Sequence, residues 1–206
     1  MKTSRFFLLS FTLLICLLFP ACTPEPKLPR LADDAVILAF GDSLTYGTGA
    51  QPEENYPAVL ERLTGRRVIN AGVPGEVTSE GLIRLPDVLN RTRPNLLLLC
   101  HGGNDFLRHL DQQMTRRNLE AMIHLARNRG VAVVLIAVPA PGFLLRPPSF
   151  YEEIADKQKL PLEKEILEDI LSEGTLKADY IHPNASGYKM FAETIRDLLR
   201  KSGALD

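Results

Sequence analysis

Short, uninterrupted apolar runs alternate with stretches of helical spacing along this chain, and this alternation limits its fold more than any other feature. Four such runs are interpreted as strands buried on both faces: residues 35–40, 67–70, 96–100 and 131–138. Helical spacing covers residues 56–63, 79–89, 114–129, 163–172 and 184–201. Gly65 and Gly130 stand where two of these helices are expected to end. The order predicts a parallel sheet between two helical layers, with the chemistry at the strand ends.

The first residues are set apart from the fold. Lys2 and Arg5 precede an apolar run at residues 6–19, which ends at Pro20-Ala21-Cys22. This layout is typical of a secretory signal peptide, and the run is shorter than the about 20 residues of a membrane span. We therefore divide the 206 residues into a signal peptide (1–21), a Pro-rich tether (22–34) and one α/β domain (35–206).

The two cysteines outside the signal peptide are expected to have different roles. Cys22 resembles the lipid-attachment cysteine of bacterial lipoproteins, because it follows a small residue and precedes a polar, Pro-rich segment. Cleavage after Ala21 without lipid attachment is the alternative. We expect either a periplasmic protein or an anchored lipoprotein of the bacterial envelope. Cys100 lies in an apolar run and is expected to be a small buried hydrophobe, with no disulfide, catalytic thiol or zinc site.

The charges of the chain are nearly balanced, with 24 basic and 25 acidic residues and a net charge of -1. Such a balance offers no basic footprint for nucleic acid. We expect a monomer that acts on a small molecule, without a nucleic-acid partner.

Ser43 stands at the carboxyl end of the first predicted strand, within Gly41-Asp42-Ser43-Leu44. Gly41 permits a sharp turn there, which would expose the Ser43 hydroxyl. A serine hydroxyl needs a base to take its proton when it attacks a carbonyl carbon. A serine in this place can also simply cap the following helix.

A carboxylate and an imidazole lie three residues apart near the other end of the chain, at Asp179 and His182. Both side chains can emerge from one loop ahead of the last predicted helix. A carboxylate that holds one ring nitrogen leaves the other free to accept the serine proton. A helix cap with a surface histidine is the alternative interpretation.

Two further loops offer hydrogen-bond donors of the kind that stabilise a tetrahedral oxyanion. The backbone N–H of Gly75 follows the second predicted strand, and the side-chain amide of Asn104 follows the third. Taken alone, the glycines of either loop can mark an ordinary turn.

Together these four segments resemble, in order, the four sequence blocks of the SGNH (GDSL) hydrolases. The blocks are Gly-Asp-Ser-Leu at 41–44, the Gly75 loop, Gly-Gly-Asn-Asp at 102–105 and Asp-x-x-His at 179–182. The similarity spans residues 35–199 and is greatest to the bacterial exported thioesterase, arylesterase and lysophospholipase group, through Gly-Leu-Ile-Arg-Leu-Pro at 81–86. The resemblance implies a flavodoxin-like three-layer α/β/α sandwich around a mostly parallel five-stranded sheet.

The resemblance also assigns roles. Ser43 is the implied nucleophile, His182 the base and Asp179 its orienting acid. The implied oxyanion hole consists of the Ser43 and Gly75 N–H groups and the Asn104 side chain. No metal or organic cofactor is implied. The loop after the second strand departs from the usual form of the group, so Gly72 remains an alternative donor to Gly75.

The other polar residues near these blocks are interpreted as structural. Asp42 and Asp105 are expected to anchor their loops, and His101, His109 and His124 to be structural or exposed to solvent. The apolar stretch at 143–145 is the candidate wall for an acyl chain, with a place in the core as the alternative.

The expected activity is hydrolysis of acyl esters, thioesters or lysophospholipids through an acyl-serine intermediate. One alternative is a carbohydrate or peptidoglycan O-acetylesterase. The other is an envelope lipoprotein that keeps the fold and only binds a ligand.

Overall fold

The computed structural model describes residues 26–142 and 145–206, which form five strands and eight α-helices. The strands are β1 (Val36–Gly41), β2 (Arg67–Gly72), β3 (Leu96–Cys100), β4 (Ala132–Ile136) and β5 (Leu162–Glu163). The helices are α1 (Ser43–Tyr46), α2 (Tyr56–Thr64), α3 (Thr78–Thr92), α4 (Gly103–Leu107), α5 (Gln112–Arg127), α6 (Phe150–Gln158), α7 (Ile166–Ser172) and α8 (Ala185–Lys201).

All five strands run parallel, in the order β2-β1-β3-β4-β5. The chain moves outward from β1 to β2 and then returns past β1 to β3. Because parallel crossovers are right-handed, this reversal places the connecting helices on opposite faces of the sheet. Helices α2, α7 and α8 pack together, as do α3, α5 and α6. The predicted three-layer α/β/α sandwich with a five-stranded sheet is confirmed.

Burial follows the position of each strand in the sheet. Every residue of β3 is buried, and so are Ile37 to Phe40 in β1. The edge strand β2 differs, because its residues are half-buried or exposed. The prediction that residues 67–70 are buried on both faces was therefore wrong, since only one side of this strand has a neighbour in the sheet.

The region after β4 is more regular than its sequence indicated. It contains α6, which was not predicted, and β5, the fifth strand that the resemblance implied but that was not located in the sequence. The helix predicted at 163–172 begins at Ile166, because Glu163 belongs to β5. The Glu163 carboxylate accepts hydrogen bonds from the N–H groups of Glu165 and Ile166, which stabilises the start of α7.

Both glycines that were predicted to end helices adopt the left-handed conformation. Gly65 adopts the left-handed conformation (φ 66°) directly after α2, as expected. Helix α5 ends at Arg127, two residues before the predicted end, and the turn that follows it contains Gly130 (φ 73°), whose N–H donates to the Arg127 carbonyl. Helix α3 extends past Leu89 to Thr92.

The ends of the described chain meet at the amino-terminal edge of the sheet. The N–H groups of Leu28 and Leu31 donate to the carbonyls of Ser202 and Ala204, and Leu31 is buried. The folded part thus begins ahead of residue 35, inside the segment assigned to the tether. The signal peptide and Cys22 lie outside the described residues. None of the helices within 26–142 and 145–206 combines the length and hydropathy of a membrane span.

Candidate active site

Ser43 is the first residue of α1 and follows β1 on a tight turn. A Cβ at Gly41 would lie 1.9 Å from the Cys100 carbonyl oxygen of β3, so only glycine fits at this approach. The Asp42 carboxylate caps α1 by accepting the N–H of Leu44 at 3.0 Å. Burial raises the pKa of Asp42 above its ordinary value. The turn therefore presents the Ser43 hydroxyl at the carboxyl edge of the sheet, where Asp42 anchors the loop.

His182 connects Ser43 to Asp179 through its two ring nitrogens. Nε2 lies 2.9 Å from Ser43 Oγ, and Nδ1 lies 2.8 Å from Asp179 Oδ2. A carboxylate beside Nδ1 places the ring proton there, which leaves Nε2 as the acceptor for the serine hydroxyl. The structure thus brings the three predicted residues into one hydrogen-bonded series.

The second carboxylate oxygen of Asp179 also accepts hydrogen bonds. Asp179 Oδ1 accepts the N–H groups of Ile181 and His182, each at 2.9 Å. Partial burial acts to raise the pKa of Asp179, but the hydrogen bonds from the His182 ring and these N–H groups outweigh it. The pKa of Asp179 is therefore lowered, and the carboxyl group is ionised at neutral pH.

The loop that carries Asp179 and His182 is held from both sides. Asn184 caps α8 by accepting the Gly187 N–H, and its amide nitrogen donates to the carbonyls of Thr175 and Lys177. From the side of α1, a Cβ at Gly49 would lie 2.5 Å from the Pro183 carbonyl oxygen. The close approach fixes the imidazole loop against the serine loop.

The two candidate backbone donors differ in what their N–H groups contact. The Gly72 N–H donates to Asn70 Oδ1 at 2.9 Å, and a Cβ at Gly72 would lie 2.1 Å from the Tyr46 nitrogen. The Gly75 N–H has no hydrogen-bond partner within residues 26–142 and 145–206, and Gly75 has a left-handed φ of 81°. Of the two, Gly75 has the N–H that is free to bind a ligand.

Asn104 lies in the first turn of α4, beside Ser43 and His182. Its Nδ2 donates to the Glu76 carbonyl oxygen at 3.1 Å, which leaves its second amide hydrogen for a ligand. The neighbouring Asp105 is buried and accepts hydrogen bonds from Thr78 and Thr115. Asp105 therefore ties α4 to α3 and α5, which agrees with the anchoring role expected for it.

A buried ionic group beneath these loops was not predicted. The Glu76 carboxylate receives two hydrogen bonds from Arg84, at 2.7 and 2.6 Å, and lies 3.1 Å from His101 Nε2. The Arg84 guanidinium also stacks 4.1 Å from the centre of the Phe40 ring. The acid after Gly75 was the available signal, but nothing in the sequence indicated its pairing with His101. His109 and His124 are exposed and contribute nothing to the site.

An apolar groove opens beside Ser43. Its volume is about 450 Å³, part of which is open to solvent. Its polar lining residues are Asp42, Ser43, Asn104, Tyr180 and His182. Its apolar walls include Leu44, Leu107, Val138, Leu145, Leu171 and Ile181. Leu145 of the predicted acyl-chain wall thus lines the groove, whereas residues 143 and 144 lie outside the described residues. Across the described part of the chain, no group of three or more His, Cys, Asp or Glu side chains is arranged to hold a metal ion.

Comparison with protein families gives a match over most of the domain. The model of the GDSL-like Lipase/Acylhydrolase family matches residues 39–190, which include every candidate site residue above.

Individual proteins are similar over nearly their whole length. Esterase TesA of Pseudomonas aeruginosa is 29% identical over 195 residues, covering 89% of this chain and 97% of that protein. Thioesterase 1/protease 1/lysophospholipase L1 of Escherichia coli K12 is 28% identical over 172 residues, covering 80% and 83%. The crystal structure of esterase EstA from Pseudoalteromonas sp., inhibited by monoethylphosphonate, superposes with a TM-score of 0.73 and 25% identity, covering 82% of this chain and 98% of that one.

Proposed function

Because the chain belongs to the GDSL-like lipase/acylhydrolase family, it is a carboxylic ester hydrolase, and we propose that it cleaves acyl esters and thioesters through an acyl-Ser43 intermediate. One observation carries this mechanism: a hydroxyl, an imidazole and an ionised carboxylate form one hydrogen-bonded series at the mouth of an apolar groove. This series supplies both the nucleophile and the base that acyl transfer requires.

In the first half-reaction, Ser43 Oγ attacks the carbonyl carbon and its proton passes to His182 Nε2. The carbonyl oxygen becomes an oxyanion, which the N–H groups of Ser43 and Gly75 and the Asn104 amide stabilise. The N–H of Ser43 is available because the first residues of a helix have no intrahelical acceptor. His182 then donates its proton to the leaving alcohol or thiol as the carbon–heteroatom bond breaks.

In the second half-reaction, water attacks the acyl-Ser43 carbonyl while His182 Nε2 accepts a water proton. The tetrahedral intermediate collapses, the carboxylic acid departs, and the proton returns to Ser43 Oγ. Asp179 stays ionised and stabilises the imidazolium that forms in each half.

The shape of the groove supports acyl chains longer than acetyl. Leucine, isoleucine and valine side chains form its walls, and burial of each CH₂ group of a chain contributes about 0.8 kcal/mol. The names of the Escherichia coli relative include thioesterase and lysophospholipase, which supports the same classes of acyl substrate here.

Hydrolysis of p-nitrophenyl acetate, butyrate and octanoate by the wild type and Ser43→Ala tests the proposal. We expect kcat/KM to rise with chain length in the wild type and to fall by at least about 10⁴-fold in the variant. A fluorophosphonate probe should label Ser43 in the wild type alone. Full activity in Ser43→Ala would refute the mechanism. Turnover of acetate alone would identify an O-acetylesterase, and no turnover by either protein would indicate a binding lipoprotein.

We further propose export of the protein, with lipid attachment at Cys22 and a monomeric catalytic domain. The basic residues, apolar run and Ala21-Cys22 pair at the N-terminus support export. Expression in a bacterium with an alkyne-labelled fatty acid, followed by fractionation, should give a labelled wild type and an unlabelled Cys22→Ala.

Light scattering of the domain should give the mass of one chain, and a dimer mass would refute the monomer.

A further inference from the structure

The two loops that carry Gly75 and Asn104 are joined by a closed set of hydrogen bonds. Asn104 Nδ2 donates to the backbone carbonyl of Glu76, the residue after Gly75. The Glu76 side chain in turn contacts His101 Nε2, three residues before Asn104. The backbone of one loop thus holds the amide of the other, and the Glu76–His101 contact joins the loops a second time.

The protonation of His101 follows from its partners. Nδ1 accepts the N–H of Gly102 at 3.1 Å, so the ring proton lies on Nε2 and donates to Glu76 Oε2. The His101 side chain has no exposed surface and that of Glu76 is 6% exposed. Arg84 balances the Glu76 charge. A buried carboxylate with these three hydrogen bonds has little freedom to move.

Neighbouring residues leave space for the Glu76–His101 pair and fix its position. A Cβ at Gly81 of α3 would lie 2.5 Å from His101 Nε2, so this helix approaches the pair only because the residue is glycine. The buried Tyr151 hydroxyl donates to the His101 carbonyl at 2.7 Å. The side chains of Glu76 and His101 are buried and do not line the groove, so they are not exposed to a substrate bound there.

We propose that Glu76 and His101 are positioning residues for the oxyanion hole, which they serve by fixing the Gly75 N–H and the Asn104 amide at the spacing that the tetrahedral oxyanion requires. The inference rests on the proposed function. An oxyanion hole stabilises charge best where its donors are held in place before the reaction begins, and a displacement of about 1 Å weakens it.

His101→Leu tests the proposal, because leucine fills the buried space without a donor. We expect kcat for p-nitrophenyl butyrate to fall about 10- to 100-fold, less than the about 10²- to 10³-fold loss of a whole donor, while KM changes less than about 2-fold. His101→Gln can still donate to Glu76 and should recover most of kcat. His124→Leu, the same change at an exposed histidine of α5, should behave as the wild type.

A double-mutant cycle with Asn104→Ala distinguishes positioning of the oxyanion donors from a non-specific disturbance of the fold. Because part of its effect acts through Asn104, His101→Leu should lower kcat by a smaller factor in the Asn104→Ala background than in the wild type. Equal losses in both backgrounds, an unchanged kcat in His101→Leu, or a loss in KM alone would each overturn the inference. Ser43→Ala separates this result from the proposed function, because a failed cycle leaves the dependence on Ser43 intact.

Discussion

His182 Nε2 lies 2.9 Å from Ser43 Oγ, although 139 positions separate the two residues along the chain. Two elements bring them together: β1 ends at the serine turn, and α8 begins just after the imidazole loop. The buried Tyr188 of α8 donates its hydroxyl to the Thr48 carbonyl at 2.9 Å, which fastens α8 to the segment after α1. The contact therefore depends on the packing of the whole domain.

Asp179→Asn should impair catalysis without unfolding the protein. Its amide nitrogen can donate to Nδ1, which moves the ring proton to Nε2 and removes the acceptor for Ser43. We expect kcat to fall on the order of 10³- to 10⁴-fold, measured with p-nitrophenyl butyrate. Asp87→Asn, at an exposed position of α3, is the control and should retain full activity. A kcat within 3-fold of the wild type would contradict the role of Asp179.

Leu107→Ala should change the preference for acyl-chain length. Leu107 lines the groove from α4 and is 40% exposed, so its truncation removes a contact for the substrate at small cost to the fold. We expect KM for p-nitrophenyl octanoate to rise about 3- to 10-fold, by loss of one to two CH₂ equivalents of burial, while acetate is unaffected. Ile83→Ala, a strongly exposed position outside the groove, is the matched control. Equal effects on acetate and octanoate would place the acyl chain elsewhere.

Glu76→Gln should lower stability, and more so at neutral than at acid pH. Loss of hydration on burial acts to raise the pKa of Glu76, but hydrogen bonds from Arg84 and His101 outweigh it and lower the pKa. Above the ordinary glutamate pKa of about 4.3, the carboxylate is charged in both the folded and the unfolded protein. Its full contribution to the free energy of unfolding is then present. As the pH falls through the lowered pKa of the folded state, that contribution is lost.

Urea unfolding between pH 7 and pH 3 measures this effect. The difference between the wild type and Glu76→Gln should be about 1.5 to 3 kcal/mol above pH 5, as for hydrogen bonds to a charged group, and should shrink toward pH 3. Asp87→Asn should show no such trend. A difference that stays constant with pH would show that the Glu76 charge does not stabilise the fold.

The Cys100 thiol should be inert in the folded protein. Burial raises its pKa well above its ordinary value, and the thiolate is the reactive species. We expect N-ethylmaleimide to leave esterase activity unchanged and the Cys100 peptide unmodified, whereas the reagent should modify that peptide after unfolding in urea. Inactivation that parallels modification of Cys100 would instead implicate the thiol in the site.

The sequence was sufficient to predict the central strands of the sheet and the functional residues at its carboxyl edge. Strands β1 and β3 are apolar at every position because both faces are covered, so their runs are unambiguous. Ser43 and Asn104 each follow a strand with a clear signal, and Asp179 and His182 precede a helix with one. Four short motifs in one order are also specific for a family.

Other features depend on contacts between distant parts of the chain. Strand β5 has two residues, which is too short to produce a pattern. The buried residues of α6, at 150, 151, 154 and 155, have helical spacing, but the prolines ahead of them obscured it. The choice between Gly72 and Gly75 depends on the Asn70 side chain, which occupies one of the two N–H groups. The Glu76–His101 pair joins loops 25 positions apart, so no pattern in the sequence around either residue indicates it.

Helix α8 starts beside His182 and runs 17 residues, about 25 Å, to the opposite edge of the sheet. There, Ser202 and Ala204 hold Leu28 and Leu31. A bead, a surface or a fused partner joined to either end of the folded domain would therefore sit behind the enzyme, with the groove directed into the bulk solution. Immobilisation through either end should leave the rate of ester cleavage intact.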